Sequence, residues 1–245
     1  MRELTFAIEY DPGADPIMDV FAAYPSLTAH SLDGVIAADQ FWRIERFSGP
    51  AAALSRIEEV RFDDDTCGEA ITETRCGAAR FHDTLERSTN GLVLYTHLDA
   101  IRGCESVHTL AGTHLPSGVI FQTRRRGSAH WWRLLMRSDD RIGVFYDDLS
   151  ARLREGLSFR MGHLRDADGW RQESLAGTAL SEPQERALRA AVAAGYYDPP
   201  RETTLDDIAA DLGIPRSTLS YRLRRAESAL LHGYVDDTTP DRWLE

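Results

Sequence analysis

The hydrophobic period of this chain changes once, near Ser181, and that change constrains its architecture more than any other feature. Before it, strand-like alternation trades places with short amphipathic segments. After it, the apolar positions fit only a helical period. A chain of 245 residues is long enough for two domains. The change therefore reads as a boundary between an α+β region, 1–166, and an all-α unit, 180–235. The polar, glycine-bearing stretch 167–179 reads as a linker, and 236–245 as an acidic tail.

In the first region, residues 3–10 read as a strand. Asp15 and Pro16 supply an N-cap and a first-turn proline for a short helix stopped by Pro25. Residues 27–47 look like a hairpin turning near Asp33-Gly34. A helix follows at 50–60, then strand material around 69–82. That order, β-α-β-β-α-β, is the split βαβ arrangement of a ferredoxin-like unit. Strands are expected throughout 91–137, including a hairpin turning at Gly127-Ser128. A helix over 139–155, capped by Ser138, and a strand at 157–165 suggest a second such unit.

The second region carries its own punctuation. Ser181 and Gln184 form a capping box, and Gly195 ends the helix they open. Thr204 and Asp207 are a second capping pair. Ala209 is small enough for two helices to cross closely. Gly213, four residues on, supplies a left-handed turn, and Pro215 starts another helix. Ile208, Leu212, Ile214 and Leu219 would pin the pair. Leu219, Leu223, Ala226 and Leu230 line one face of the last helix, leaving Ser217, Tyr221 and Arg224 opposite, with Arg216 and Ser220 beside them and Arg225 adjoining. This is what a recognition helix in a major groove needs, and these six residues are the candidate DNA contacts. The competing reading is a helical hairpin with a solvated polar face. The coincidence of small residue, glycine, apolar spacing and basic face favours DNA.

Residues 180–231 also resemble the C-terminal helix-turn-helix of the haloarchaeal bacterio-opsin activator family. The shared features are the "GYYD.PR" loop, "T..(I/L)A..LGI" and "S.LS.RLRRAE". The resemblance implies a regulator of transcription acting beside archaeal promoters, with a variable sensing domain ahead of the DNA-binding unit. Pro215 and Tyr221 depart from the family pattern, which commonly has a serine at the first and a polar or charged residue at the second.

The formal charge of −11 does not argue against DNA. The chain has no lysine; its 28 basic residues are all arginine. Abundant aspartate with this arginine usage resembles proteins of salt-loaded cytoplasms, where acidity serves solubility. No apolar run approaches the length of a bilayer span, and the N-terminus lacks a signal-peptide layout, so a cytoplasmic protein without a membrane is expected.

Catalytic signatures are missing: the sequence has no P-loop, no G-x-S-x-G, no H-E-x-x-H and no G-x-G-x-x-G. Cys104, His108 and His114 are ligand types suited to zinc, with Cys67, Cys76, His82 and His97 elsewhere in the region. Their wide spacing favours buried thiols and scattered imidazoles over a metal site, so no metal and no cofactor is expected, though a small-molecule effector is compatible with a sensing domain. The run "TRRRG" (123–127) reads as a solvated hairpin tip, and Trp131 and Trp132 as core. The expected partners are double-stranded promoter DNA and a second copy of the chain. The alternative is a module that docks on the archaeal basal transcription machinery without reading bases.

Overall fold

The computed structural model describes residues 1–37, 39–63, 68–72, 77–99, 105–167 and 180–238, the last six as backbone alone. The chain forms two compact units, one within 1–170 and one within 171–239.

The first unit is a single eight-stranded antiparallel sheet with helices on one face. Its elements are β1 (Arg2–Tyr10), α1 (Pro16–Ala23), β2 (Thr28–Ala37), β3 (Gln40–Ser48), α2 (Ala51–Arg61), β4 (Ala79–Arg87), β5 (Gly91–Asp99), α3 (Val107–His114), β6 (Ile120–Arg126), β7 (Ala129–Met136), α4 (Ile142–Arg152) and β8 (Leu157–Asp166). The strand order is β4-β5-β3-β2-β6-β7-β1-β8.

The expected β-α-β-β-α-β order is present along the chain, but it does not close into a local ferredoxin-like unit. Such a unit would place β1 between β3 and β4. That slot is filled by β5, which pairs with both. β1 instead lies between β7 and β8. The two halves have exchanged their first strands, and they join through β2 and β6. The packing agrees. Leu4, Phe6 and Ile8 of β1 share a core with α3, α4, β6 and β7. Leu92 and Leu94 of β5 share the other core with α1, α2, β2 and β3.

Several local expectations are corrected. Asp33 and Gly34 are not a turn; they lie within β2, opposite Arg43 and Trp42. A side chain at Gly34 would meet the Trp42 indole at 2.8 Å, so the glycine admits that ring. Helix α3 was not expected. It is opened by Ser106, whose Oγ accepts from the Thr109 amide, and it buries Val107, Leu110 and Ala111. α4 is shorter than expected and begins after Arg141, which takes a left-handed φ of 63°. Ser138 donates to Asp140 instead of capping it. The β6–β7 hairpin turns at Gly127 and Ser128 as read, and Trp131 and Trp132 are buried.

The largest departure is the arginine run. Arg124 and Arg125 are buried, and Arg125 contacts Glu45. Side chains two apart along a strand share a face. Asp33 of β2, Arg43 and Glu45 of β3, and Arg125 of β6 therefore all point to the helix side. They fill the seam between the two apolar cores. Arg61 of α2 joins them, donating to Glu45 at 2.9 Å. Glu69, from the irregular segment after α2, accepts from Arg43 at 2.5 and 3.1 Å and from Arg61 at 3.0 Å. Burial pushes the Glu69 carboxyl up, but Arg43, Arg61 and Arg125 outweigh it and hold it far below the usual range.

Removing one partner of a buried ionic network leaves the others desolvated and unpaired. Glu69→Ala should therefore cost about 3–5 kcal/mol in a urea titration. Arg46→Ala, which breaks an exposed pair with Glu86, should cost at most about 1 kcal/mol. Equal costs would show that the seam is not a stabilising centre.

Candidate nucleic-acid interface

The second unit contains α5 (Glu182–Ala193), α6 (Leu205–Leu212) and α7 (Arg216–Thr238). α5 opens as its sequence requires, with the Ser181 amide donating to the Gln184 side chain at 2.9 Å. It stops at Gly195, whose φ of 72° suits glycine. The loop that follows is a strut. The Tyr196 amide returns to the Ala191 carbonyl at 2.9 Å, and the Arg201 guanidinium lies 4.6 Å from the Tyr196 ring centre. Tyr197 donates to Glu227 of α7 at 2.6 Å. Burial, followed by that carboxylate, pushes the Tyr197 phenol well up. The loop thus ties the end of α5 to the middle of α7.

α6 is opened by a reciprocal cap between Thr204 and Asp207. It ends at Gly213, with φ 65° and ψ 32°. The amides of Gly213 and Ile214 donate back to Ala210 and Ala209, each at 3.0 Å. Pro215 then offers its carbonyl to Thr218 and Leu219, starting α7. Leu219 and Leu223 pack with Ile208, Ala209, Ala187 and Ala191 into one small core. The three helices are locked together by apolar contacts on one side of α7 only.

With about 100° between successive residues, the opposite side of α7 carries Ser217, Tyr221 and Arg224, all exposed. Ser220 is half-buried toward the core edge. Arg216 is exposed in the first turn, its Nε 3.3 Å from Asp206 of α6. Arg225 is displaced to the flank, in a groove shared with Gln184 of α5, Ser228 and His232. Five of the six candidates thus form one patch, and Arg225 stands beside it next to α5. Reading the sequence missed Asp206 as a neighbour of Arg216, because the pair spans the turn and has no periodic signal. Residues 180–232 hold seven arginines against eight acids. This segment is therefore close to neutral, within a chain of −11.

Among the described residues, the other candidates do not assemble. Cys104, Cys67 and Cys76 lie outside the described residues. His108 faces Asp33 at 2.8 Å and stacks on Phe41. Burial pushes the imidazole down while Asp33 opposes that shift, and Nε2–H donates to the carboxylate. His114 is paired elsewhere, with Asp148 at 2.6 Å. No three metal-ligating side chains converge among the described residues.

A family model described as HVO_2928_N, N-terminal, matches residues 3–170, more than half of the sequence. The chain belongs to the HVO_2928_N family. In this member a second model, HTH DNA binding domain, matches residues 180–232, so the C-terminal unit is a DNA-binding helix-turn-helix of the bacterio-opsin activator type. Among curated proteins, it is 49% identical over 51 residues to the dimethyl sulfoxide reductase transcriptional activator of Halobacterium salinarum. That match covers 21% of this chain and 23% of the relative. It is 32% identical over 74 residues to a protein named as a transcriptional regulator in Haloferax volcanii, covering 30% of this chain and 12% of the relative. The chain thus spans less than a quarter of the length of the curated relatives it matches. No solved structure matches.

Gly213 has open space around the position a side chain would take, so only its backbone conformation resists substitution. Gly213→Ala should lower the stability of the helix-turn-helix unit by about 1–2 kcal/mol, the cost of a left-handed alanine. Gly213→Asn should lose less. The readout is a urea midpoint, and equal midpoints for wild type and alanine variant would contradict the assignment.

Proposed function

We propose that this family member is a cytoplasmic regulator of transcription that binds promoter DNA as a homodimer. α7 lies in the major groove and the sheet domain acts as the dimerising or sensing part. The observation that carries this reading is the exposed serine–arginine face of α7 on the side away from its packing. Arg216, Ser217, Ser220, Tyr221 and Arg224 reach the groove, and Arg225 contacts the flanking backbone. Both named relatives are called regulators of transcription, which supports the same reading. No helix among the described residues is long and apolar enough to cross a membrane.

Diffuse attraction is a poor basis for binding here. At molar salt the Debye length is about 3 Å, and the chain as a whole is acidic. Short-range arginine forks on bases and phosphates remain effective under those conditions. The test is selection of duplexes from a random pool by the full chain, followed by anisotropy over a KCl series. Specific binding should persist above roughly 1 M KCl, with a slope shallower than about −0.9 per neutralised phosphate, because cations enter between the acids and the DNA. Arg216→Ala and Arg224→Ala should each weaken the selected site by about 1–3 kcal/mol and relax its sequence. Binding lost by a few hundred millimolar, or unchanged by both substitutions, would refute this reading.

One helix reads few base pairs, which is the reason to expect two copies on a site. A truncation beginning at Ala176 should be monomeric by light scattering at low micromolar concentration, while the full chain is dimeric. A dimeric truncation would move the interface to the C-terminal helices.

A further inference from the structure

One side chain on the α7 face has no electrostatic task in that reading. Tyr221 is 65% exposed. No hydrogen bond, ring contact or cation contact among the described residues engages it. Ser217, one turn before it, is too short to cover the ring, and Arg224, one turn after it, points to the same side. A single exposed aromatic is ordinary on a protein surface. This one stands in the middle of a face otherwise built of serine and arginine, between the two arginines that approach bases.

The major-groove edges of the base pairs are mostly hydrogen-bond donors and acceptors. Their one apolar feature is the C5 methyl of thymine. Serine hydroxyls and guanidinium groups match the polar edges; a bare ring matches the methyl. We propose that Tyr221 is a specificity-determining residue that packs its ring on a thymine methyl. The inference rests on α7 being the DNA-reading helix. It also places the thymine. Tyr221 and Arg224 are about 4.5 Å apart along the helix axis, and stacked bases are about 3.4 Å apart. The thymine therefore falls within one or two base pairs of the base that Arg224 reaches, which a guanine would best satisfy.

Replacing thymine by uracil deletes the methyl and leaves base pairing intact. The full chain and the duplex it selects from a random pool are used, with each thymine exchanged for uracil in turn. At one or two positions near the Arg224 contact, uracil should weaken binding about fourfold, the worth of one buried methyl. In Tyr221→Ser the thymine and uracil duplexes should bind equally, though more weakly than wild type binds thymine. Tyr221→Phe should keep the full discrimination. The residue is exposed, so these variants are expected to fold, and circular dichroism checks that they do. Wild type indifferent to uracil at every position overturns the proposal, as does an undiminished uracil penalty in Tyr221→Ser. Loss of discrimination in Tyr221→Phe overturns it too, because the hydroxyl and not the ring would then be the reader. A chain that enriches no sequence fails one level deeper and removes the DNA-reading assignment itself.

Discussion

The N-terminal fold depends on charge neutrality at a buried seam. Arg43 is fully buried, and Arg61 and Arg125 nearly so. Burial disfavours the Arg43 charge, yet Asp33, Glu69 and Glu45 more than compensate and raise its pKa well above the ordinary value. Each carboxylate is needed because the guanidinium groups are buried and removing one partner leaves a desolvated charge. The network comes from β2, β3, β6, α2 and the segment after α2. It can therefore be satisfied only when both halves of the sheet are assembled. That makes the seam a junction between the two apolar cores that neither half can satisfy alone.

The strand exchange reinforces this coupling. β1 leads into α1 along the chain, but its apolar side chains belong to the core under α3 and α4. β5 leads into α3, but it fills the core under α1 and α2. Neither half has a complete sheet without a strand from the other. The result is one cooperative sheet of eight strands. The C-terminal unit is organised differently. Its caps, turn and small core are made within about fifty residues, and its working face is what that packing leaves over.

That difference decides what could be read in advance. The capping boxes at Ser181 and Thr204, the left-handed Gly213 and the apolar side of α7 are local features, each written in a window of a few residues. They appear in the structure as the sequence indicates. The exposed line through Ser217, Tyr221 and Arg224 follows directly from them, since an α-helix converts spacing into direction. In the sheet domain the strands were legible and their neighbours were not. β1 and β5 are both nine-residue apolar strands suited to a central position, and an alternation of period two says which face a side chain takes, not which strand lies beside it. Asp33-Gly34 looked like a turn because turn chemistry and close backbone approach use the same residues.

By itself, the sequence determined a helix-turn-helix with a basic, hydroxyl-bearing outer face, because every interaction that builds it lies close along the chain. Only the tertiary structure decided that Arg124 and Arg125 of a run resembling a solvated hairpin tip are buried, and that Arg43, Arg61, Arg125, Asp33, Glu45 and Glu69 meet at one point. A charged side chain carries no local mark of burial. Whether it faces water or a carboxylate depends on distant partners, eighty residues away for Arg125, brought together by a strand exchange that no short window contains.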